Sequence, residues 1–315
     1  MQPLTLFACS YKCDMKRAIR LALSIREYNV DHLPFWMAVP YGDLAEFQKN
    51  ISNCGIQWIC QEEIFEQSPS SQVAKYANFP GGFIQQLIKA EVWRMGIGAN
   101  LLVLDSDCQF LRRFQMKDFF DTDGTPYTVT FEGGELFDFA DQFKLLRVKS
   151  DWLNTMKRIR TFFGNTENPM YTHGAAPFLW SSGVWADLAA RILEPAGITL
   201  IDLLQELRSE FIIYGEALRV LRTIPIRPHN EFFKCYHYEQ QLWHDQLNQV
   251  TEHELRKEYL GVVYQSNWQY WLDHEIGDSI PSQISKRTRR SIRWLRWRWR
   301  EFEISRKKAD PSQET

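Results

Sequence analysis

Short apolar runs alternate with amphipathic stretches along the first hundred residues. "LTLFACS" (4–10) predicts a strand; Asp14 then stands where a helix cap belongs, and "MKRAIRLALSIREY" repeats Ile19, Leu23 and Arg26 at helical spacing. "PFWMAVP" (34–40) predicts a second strand, "DLAEFQKN" a helix capped by Asp43, and "IQWICQ" (56–61) a third strand. In "GGFIQQLIKAEVWRMGIG" (81–98) the apolar positions 84, 87, 88 and 92 share one helix face, Gly96 and Gly98 stop it, and "NLLVLDSD" follows as a strand. "YTVTFE" (127–132) reads as another strand and 133–180 as irregular, with "DWLNTMKRIRTFF" its best helix. "VWADLAARILEPAG" and "ITLIDLLQELRSEFIIYGEALRVL" predict two helical stretches, the second open to a break near Ser209, and "GVVYQSNW" (261–268) a late strand or loop. Strands alternating with helices predict an α/β fold with a mixed, mainly parallel central sheet.

Composition narrows the class. The 315 residues suffice for a sizeable core, and 44% hydrophobic with 24% charged residues is the balance of a globular protein. No run of about 18 apolar residues occurs, and the N-terminus has no basic region before its short apolar stretch, so a cytoplasmic protein is expected. The six cysteines form no CxxC pair, which weakens zinc-ribbon and disulfide-scaffold readings; most are expected to be small buried hydrophobes. The net charge of −2 hides an asymmetry: the first 285 residues carry 26 basic and 35 acidic groups, a net of −9, while residues 286–308 carry 11 Lys or Arg against two Glu.

The apolar run Leu101 to Leu104 ends on Asp105, Ser106 and Asp107. In an extended segment Asp105 and Asp107 point to one side and Ser106 to the other. Two like charges there are more comfortable around a cation, and in an open parallel sheet ligands bind beyond the strands' carboxyl ends. Isolated D-x-D tripeptides are common in surface turns, and the bland reading is a turn at a strand end. The apolar run before it and the bulky "CQFLRRF" after it favour the functional reading.

"QQLIKAEVWRMGIGANLLVLDSDCQFLRRF" resembles the helix, strand and D-x-D segment of GT-A-type nucleotide-sugar glycosyltransferases. The chain from about residue 3 to 270 looks like an uncharacterised bacterial branch of them, with "FACSYKCDMKRAIRLALSI", "RSEFIIYGEAL" (208–218) and "VVYQSNW" (262–268) similar to its first and later motifs. The resemblance implies a single GT-A, Rossmann-like domain over 1–278. It also implies a hexosyltransferase-like enzyme using a divalent metal, Mn²⁺ or Mg²⁺, and a nucleotide-diphosphate sugar. Carried onto this chain, it implies that Asp107 binds the metal, that Asp105 contacts the ribose or the metal, and that Ser10, Tyr11 and Asp14 lie by the nucleoside. Gln85, Gln86 and Lys89 are expected on one helix face by their spacing, with Lys89 reaching a phosphate or sugar. Such enzymes often take a third metal ligand, frequently a histidine, from the C-terminal region; His229 is the first candidate here, with His237 and His244 open beside it. A catalytic base, needed only if the reaction inverts configuration, would be Glu210 or Glu216. "HGAAPFLWSSGVW" (173–185) suits an acceptor-side loop with Trp180 or Trp185 stacking on sugar, although core packing has the edge for both tryptophans.

The segment 279–315 is expected to be a basic tail, an amphipathic helix with a disordered end. On a helix Ile292, Leu295, Trp299 and Phe302 share a stripe, with Arg293, Arg296 and Arg300 on another side. Basic residues with interfacial tryptophan describe a helix lying on an anionic membrane, where each Arg adds about 1 kcal/mol. A helix docking on protein is the next reading, and a nucleic-acid arm the weakest.

The expectation is thus a metal-dependent glycosyltransferase acting on a glycan or lipid-linked acceptor in bacterial surface polysaccharide synthesis, peripheral on the inner membrane face. A non-catalytic carbohydrate- or nucleotide-binding module with a degenerate GT-A fold is the alternative. A nucleotidyltransferase is disfavoured for want of a Gly-rich phosphate loop near the N-terminus.

Overall fold

The structure is a computed structural model that describes residues 2–68, 79–130, 133–143, 145–166, 169–266, 268 and 279–309. It has a mixed α/β architecture around a five-stranded sheet ordered β3-β2-β1-β4-β7. The strands are β1 (Leu4–Cys9), β2 (Phe35–Val39), β3 (Ile56–Cys60), β4 (Asn100–Asp105) and β7 (Phe178–Ser181). The first four run parallel and β7 closes the edge antiparallel to β4. All six residues of β1 are buried and so are Leu101 to Leu104, as befits central parallel strands covered on both faces.

The helices that link these strands are α1 (Met15–Tyr28), α2 (Tyr41–Asn50), α3 (Gln61–Glu66) and α4 (Gly81–Glu91). Helix α1 buries Ala18, Leu21, Ala22 and Ile25, whereas Leu23 is exposed. Its core stripe therefore lies round the helix from the Ile19, Leu23 and Arg26 spacing, because small alanines suit close packing beneath a sheet. Asp14 makes no capping bond, and Asp43, expected as a cap, instead accepts the Lys12 amide at 2.8 Å. On the expected face of α4 Leu87 and Ile88 are fully buried and Ile84 half-buried, and Val92, in the turn that follows, is fully buried.

The stretch read as irregular is more ordered than expected. After β5 (Cys108–Phe110) and β6 (Thr128–Val129) come α5 (Gly134–Gln142), α6 (Leu146–Phe162), β7 and α7 (Ser182–Leu188). The segment proposed as an acceptor loop thus contains a core strand and helix start, and Trp180 and Trp185 are each 2% exposed, packed on Tyr214. The long helical stretch breaks into α8 (Leu200–Leu207) and α9 (Glu210–Leu221) at Arg208, which takes the left-handed conformation (φ 43°). The remaining elements are β8 (Pro228–His229), β9 (Phe233–Tyr236), α10 (Glu239–Leu247), α11 (Glu252–Glu258), β10 (Gly261–Tyr264) and α12 (Ile280–Ala309). Among the described residues β6 pairs only with β8, in parallel, and residues 131–132 of the strand expected there lie outside them. The expected disordered end, from 310 on, also lies outside them.

Two compact units emerge, Met1–Cys235 with Glu252–Val263, and Tyr236–Thr251 with Tyr264–Thr315. The tail helix thus shares its unit with α10. No helix among the described residues is long and apolar enough to cross a membrane.

Candidate active site

The connections from β1 lead outward to β2 and β3, and the chain then returns to place β4 on β1's other side. That reversal makes the carboxyl ends of β1 and β4 a topological switch point, the place where open α/β sheets bind ligands. Register puts Cys9 opposite Asp105, so the residues after each strand face one another there.

Around Asp105 the structure gathers a charge cluster. Lys89, 4% exposed on α4, forms an ion pair with Asp105 Oδ1 and stands 3.4 Å from Glu210 Oε1. Gln85 Nε2 donates to the same Asp105 oxygen at 3.1 Å. Lys89 lies over the Phe178 ring at 5.5 Å, which helps to hold its stem in an apolar setting. Burial pulls the Lys89 pKa down, but the Asp105 and Glu210 carboxylates outweigh it and hold the ammonium above the ordinary lysine value. Burial raises Glu210 above the usual carboxylate range; Lys89 works against that and Asp105 reinforces it. The Cys9 thiol, inside the same cluster, is pushed up to about 12, mainly by burial.

Asp105 is the last residue of β4, and Ser106 and Asp107 form a turn into β5. The strict alternation expected of an extended D-S-D does not hold past Asp105. Ser106 is buried and its Oγ donates to Asp14 Oδ2 at 3.2 Å, tying the β4 turn to the start of α1. Arg17, one turn on, forms an ion pair with Asp14. Burial lifts Asp14 above the ordinary aspartate value, opposed by Arg17 and Ser106. Ser10 is buried, with its carbonyl accepting from Gln61 Nε2 at 3.0 Å, while Tyr11 is half exposed beside it. Ser10, Tyr11, Asp14, Gln85, Lys89, Asp105, Asp107 and Glu210 therefore meet at or beside one sheet edge. Sequence reading missed Ser106 and Arg17; the D-x-x-R spacing of Asp14 and Arg17 was the available signal for the second.

Asp105 and Asp107 are both partly exposed and offer carboxylate oxygens. This donor set suits a hard divalent cation that keeps water and phosphate oxygens as its other ligands. No group of three or more His, Cys, Asp and Glu poised for a metal occurs among the described residues.

The profile of a family of unknown function, DUF6492, matches residues 2–276. The chain belongs to that family. No curated protein matches it. Among solved structures, the chain aligns with the galactosyltransferase LgtC in complex with donor and acceptor sugar analogs, at 12% identity over 82% of this chain and 86% of that one, with a TM-score of 0.47. An active-site mutant of LgtC aligns at 13% identity over 90% and 94%, TM-score 0.48. The apo form of mouse xyloside xylosyltransferase 1 aligns at 8% identity over 84% and 98%, TM-score 0.40.

Three expected site residues of this family member stand apart from the cluster. Gln86 diverges from its neighbour Gln85, since adjacent helix positions do not share a face. It lines a cavity of about 240 Å³ with Trp152, Arg208 and Ser209, where Gln86 Oε1 and Ser209 Oγ are buried with no hydrogen-bond partner among the described residues. Glu216 lies on another face of α9, fully buried in a cluster with Arg219 at 3.2 Å, His173 at 3.7 Å and the Asn165 amide. Burial pushes its pKa up, but these partners outweigh it and hold the carboxylate below its usual range. His229 is seated against Tyr127 and Phe232, its Nδ1 2.6 Å from the Asn230 carbonyl, and joins no three-ligand metal group among the described residues. His237 and His244 belong to the other compact unit.

Glu231, which the sequence did not single out, accepts the Ala175 amide at 3.1 Å and so braces the loop that enters β7. Burial raises its pKa to about 7 from 4.5. Because the folded state holds this proton more tightly than the unfolded chain, its stabilising contribution is full below about pH 4.5 and is lost as pH rises through 7. Thermal melts from pH 5 to 8 are expected to show stability declining over that window, and Glu231→Gln is expected to flatten the slope.

Proposed function

We propose that this protein is a metal-dependent glycosyltransferase that moves a sugar from a nucleotide-diphosphate sugar to a glycan or lipid-linked acceptor. What carries the reading is the meeting of Asp14, Asp105, Asp107, Lys89 and Glu210 at the carboxyl edge of β1 and β4, joined to the D-x-D segment's resemblance to GT-A enzymes. Asp105 and Asp107 would hold the cation, which when bound supplies charge stabilisation for a leaving diphosphate. Lys89, anchored by two carboxylates, holds Asp105 in place. Ser10, Tyr11 and Asp14 would meet the nucleoside, with Asp14 steadied by Arg17 and Ser106. Glu210 is the better placed of the two base candidates, because Glu216 is committed to Arg219 and His173. The cavity beside Gln86, Arg208 and Ser209 adjoins Glu210 in sequence and has hydroxyl-binding groups free on its wall, which suits an acceptor sugar against Trp152. The setting proposed is cytoplasmic, in surface polysaccharide synthesis, with any lipid-linked acceptor reached from the inner face of the membrane.

The test is thermal stability against UDP-, GDP-, CMP- and dTDP-sugars, each with and without Mn²⁺, in wild type and Asp107→Ala. A donor at 100 times its dissociation constant is expected to stabilise by about 2.7 kcal/mol, only with the cation and only in wild type. Folded protein that responds to none of these donors would return the reading to a non-catalytic binding module.

A further inference from the structure

The basic helix α12 carries two opposed faces, and only one of them is occupied by its own unit. On the inner face Arg290 Nε donates to Glu239 Oε1 at 2.6 Å and Arg293 Nη2 lies 3.3 Å from Glu239 Oε2. Glu239 is 4% exposed, so two arginines neutralise one buried carboxylate on α10. A helical turn further on, Trp297 is buried with its ring 5.4 Å from that of Trp243. Docking on protein is therefore the right description of this face.

The outer face is different. Ile280, Ile284, Ile292, Leu295, Trp299 and Phe302 are between 44% and 73% exposed. At about 100° per residue they form one stripe whose centre lies roughly half a turn from Arg290 and Trp297. Exposed arginines border the stripe on both sides, Arg287 and Arg298 along one edge and Arg289, Arg296 and Arg300 along the other. Six large apolar side chains in a row left to water are costly unless something covers them.

We propose that this outer face lies in the headgroup region of an anionic phospholipid bilayer, parallel to its surface. The charge pattern selects this occupant. Arginines on both borders would meet phosphate headgroups while the stripe reaches the acyl boundary, and Trp299 suits the interface between them. A second copy of the helix on the same face would set arginine borders against each other. Nucleic acid would use the arginines and aromatic rings but leaves Ile280, Ile284, Ile292 and Leu295 without a counterpart. The inference stands on α12 and its exposure and is independent of the transferase reading.

The experiment is flotation of the full chain with phosphatidylcholine vesicles, with and without phosphatidylglycerol. Binding to the anionic vesicles is expected, weakening as salt rises. Leu295→Glu with Trp299→Glu is expected to lower it at least about tenfold without moving the melting temperature, since both positions are exposed. Arg296→Gln with Arg300→Gln is expected to cost about fivefold per arginine and to blunt the salt dependence. Equal binding to neutral vesicles, stripe variants that float like wild type, or retention by RNA without flotation would each overturn the proposal.

Discussion

Replacing Lys89 with methionine is expected to destabilise the fold by about 3–5 kcal/mol, the range for removing one partner of a buried ion pair. Methionine keeps an unbranched stem over Phe178 but leaves Asp105 and the buried Glu210 without their cation. Urea denaturation measures the loss. Adding Glu210→Gln to Lys89→Met should recover part of it, because the carboxylate then left unpaired and buried is gone. A surface lysine would cost within about 0.5 kcal/mol, so a small effect would mean the cluster does not form.

Glu210→Gln alone is expected to separate chemistry from structure. Lys89 keeps Asp105, so stability should change little, whereas loss of a catalytic base from an inverting transferase lowers kcat by about 10²- to 10⁴-fold. Glu216→Gln is the counterpart. It breaks a buried cluster with Arg219 and His173, and should lower the melting temperature while sparing the rate per folded molecule. Transfer rates measured beside thermal melts give both readings. Equal rates for wild type and Glu210→Gln would remove Glu210 from the chemistry and favour a retaining course that needs no base.

The pattern of residues determined a good deal. β1, β2 and β4 are apolar runs of strand length, and burial on both faces is what makes such runs continuous, so they are visible without neighbours. Helix α4 shows its 3.6-residue period in Leu87, Ile88 and Val92, and the break at Arg208 and Ser209 stands at the expected place. The basic, tryptophan-rich tail is visible as a helix with distinct faces.

Other features depend on contacts between distant segments. β7 carries little strand signal of its own, because "FLWS" is only four residues beside Pro177 and Gly183, and its identity as a strand comes from pairing with β4 some 80 positions away. The buried face of α1 is hidden in the pattern because Ala18 and Ala22 carry little hydrophobic signal, although under a sheet their small size is what packs. The turn at Ser106 and Asp107 follows from the Ser106 bond to Asp14, 92 residues earlier. Helix spacing places Lys89 beside Gln85, and only tertiary packing brings Glu210, 121 residues away, to its ammonium. Periodicity records which side of an element avoids water, so the sequence by itself determined elements and the chemistry available on them. Which carboxylate meets which cation is set by long-range packing, and only the tertiary structure decided that.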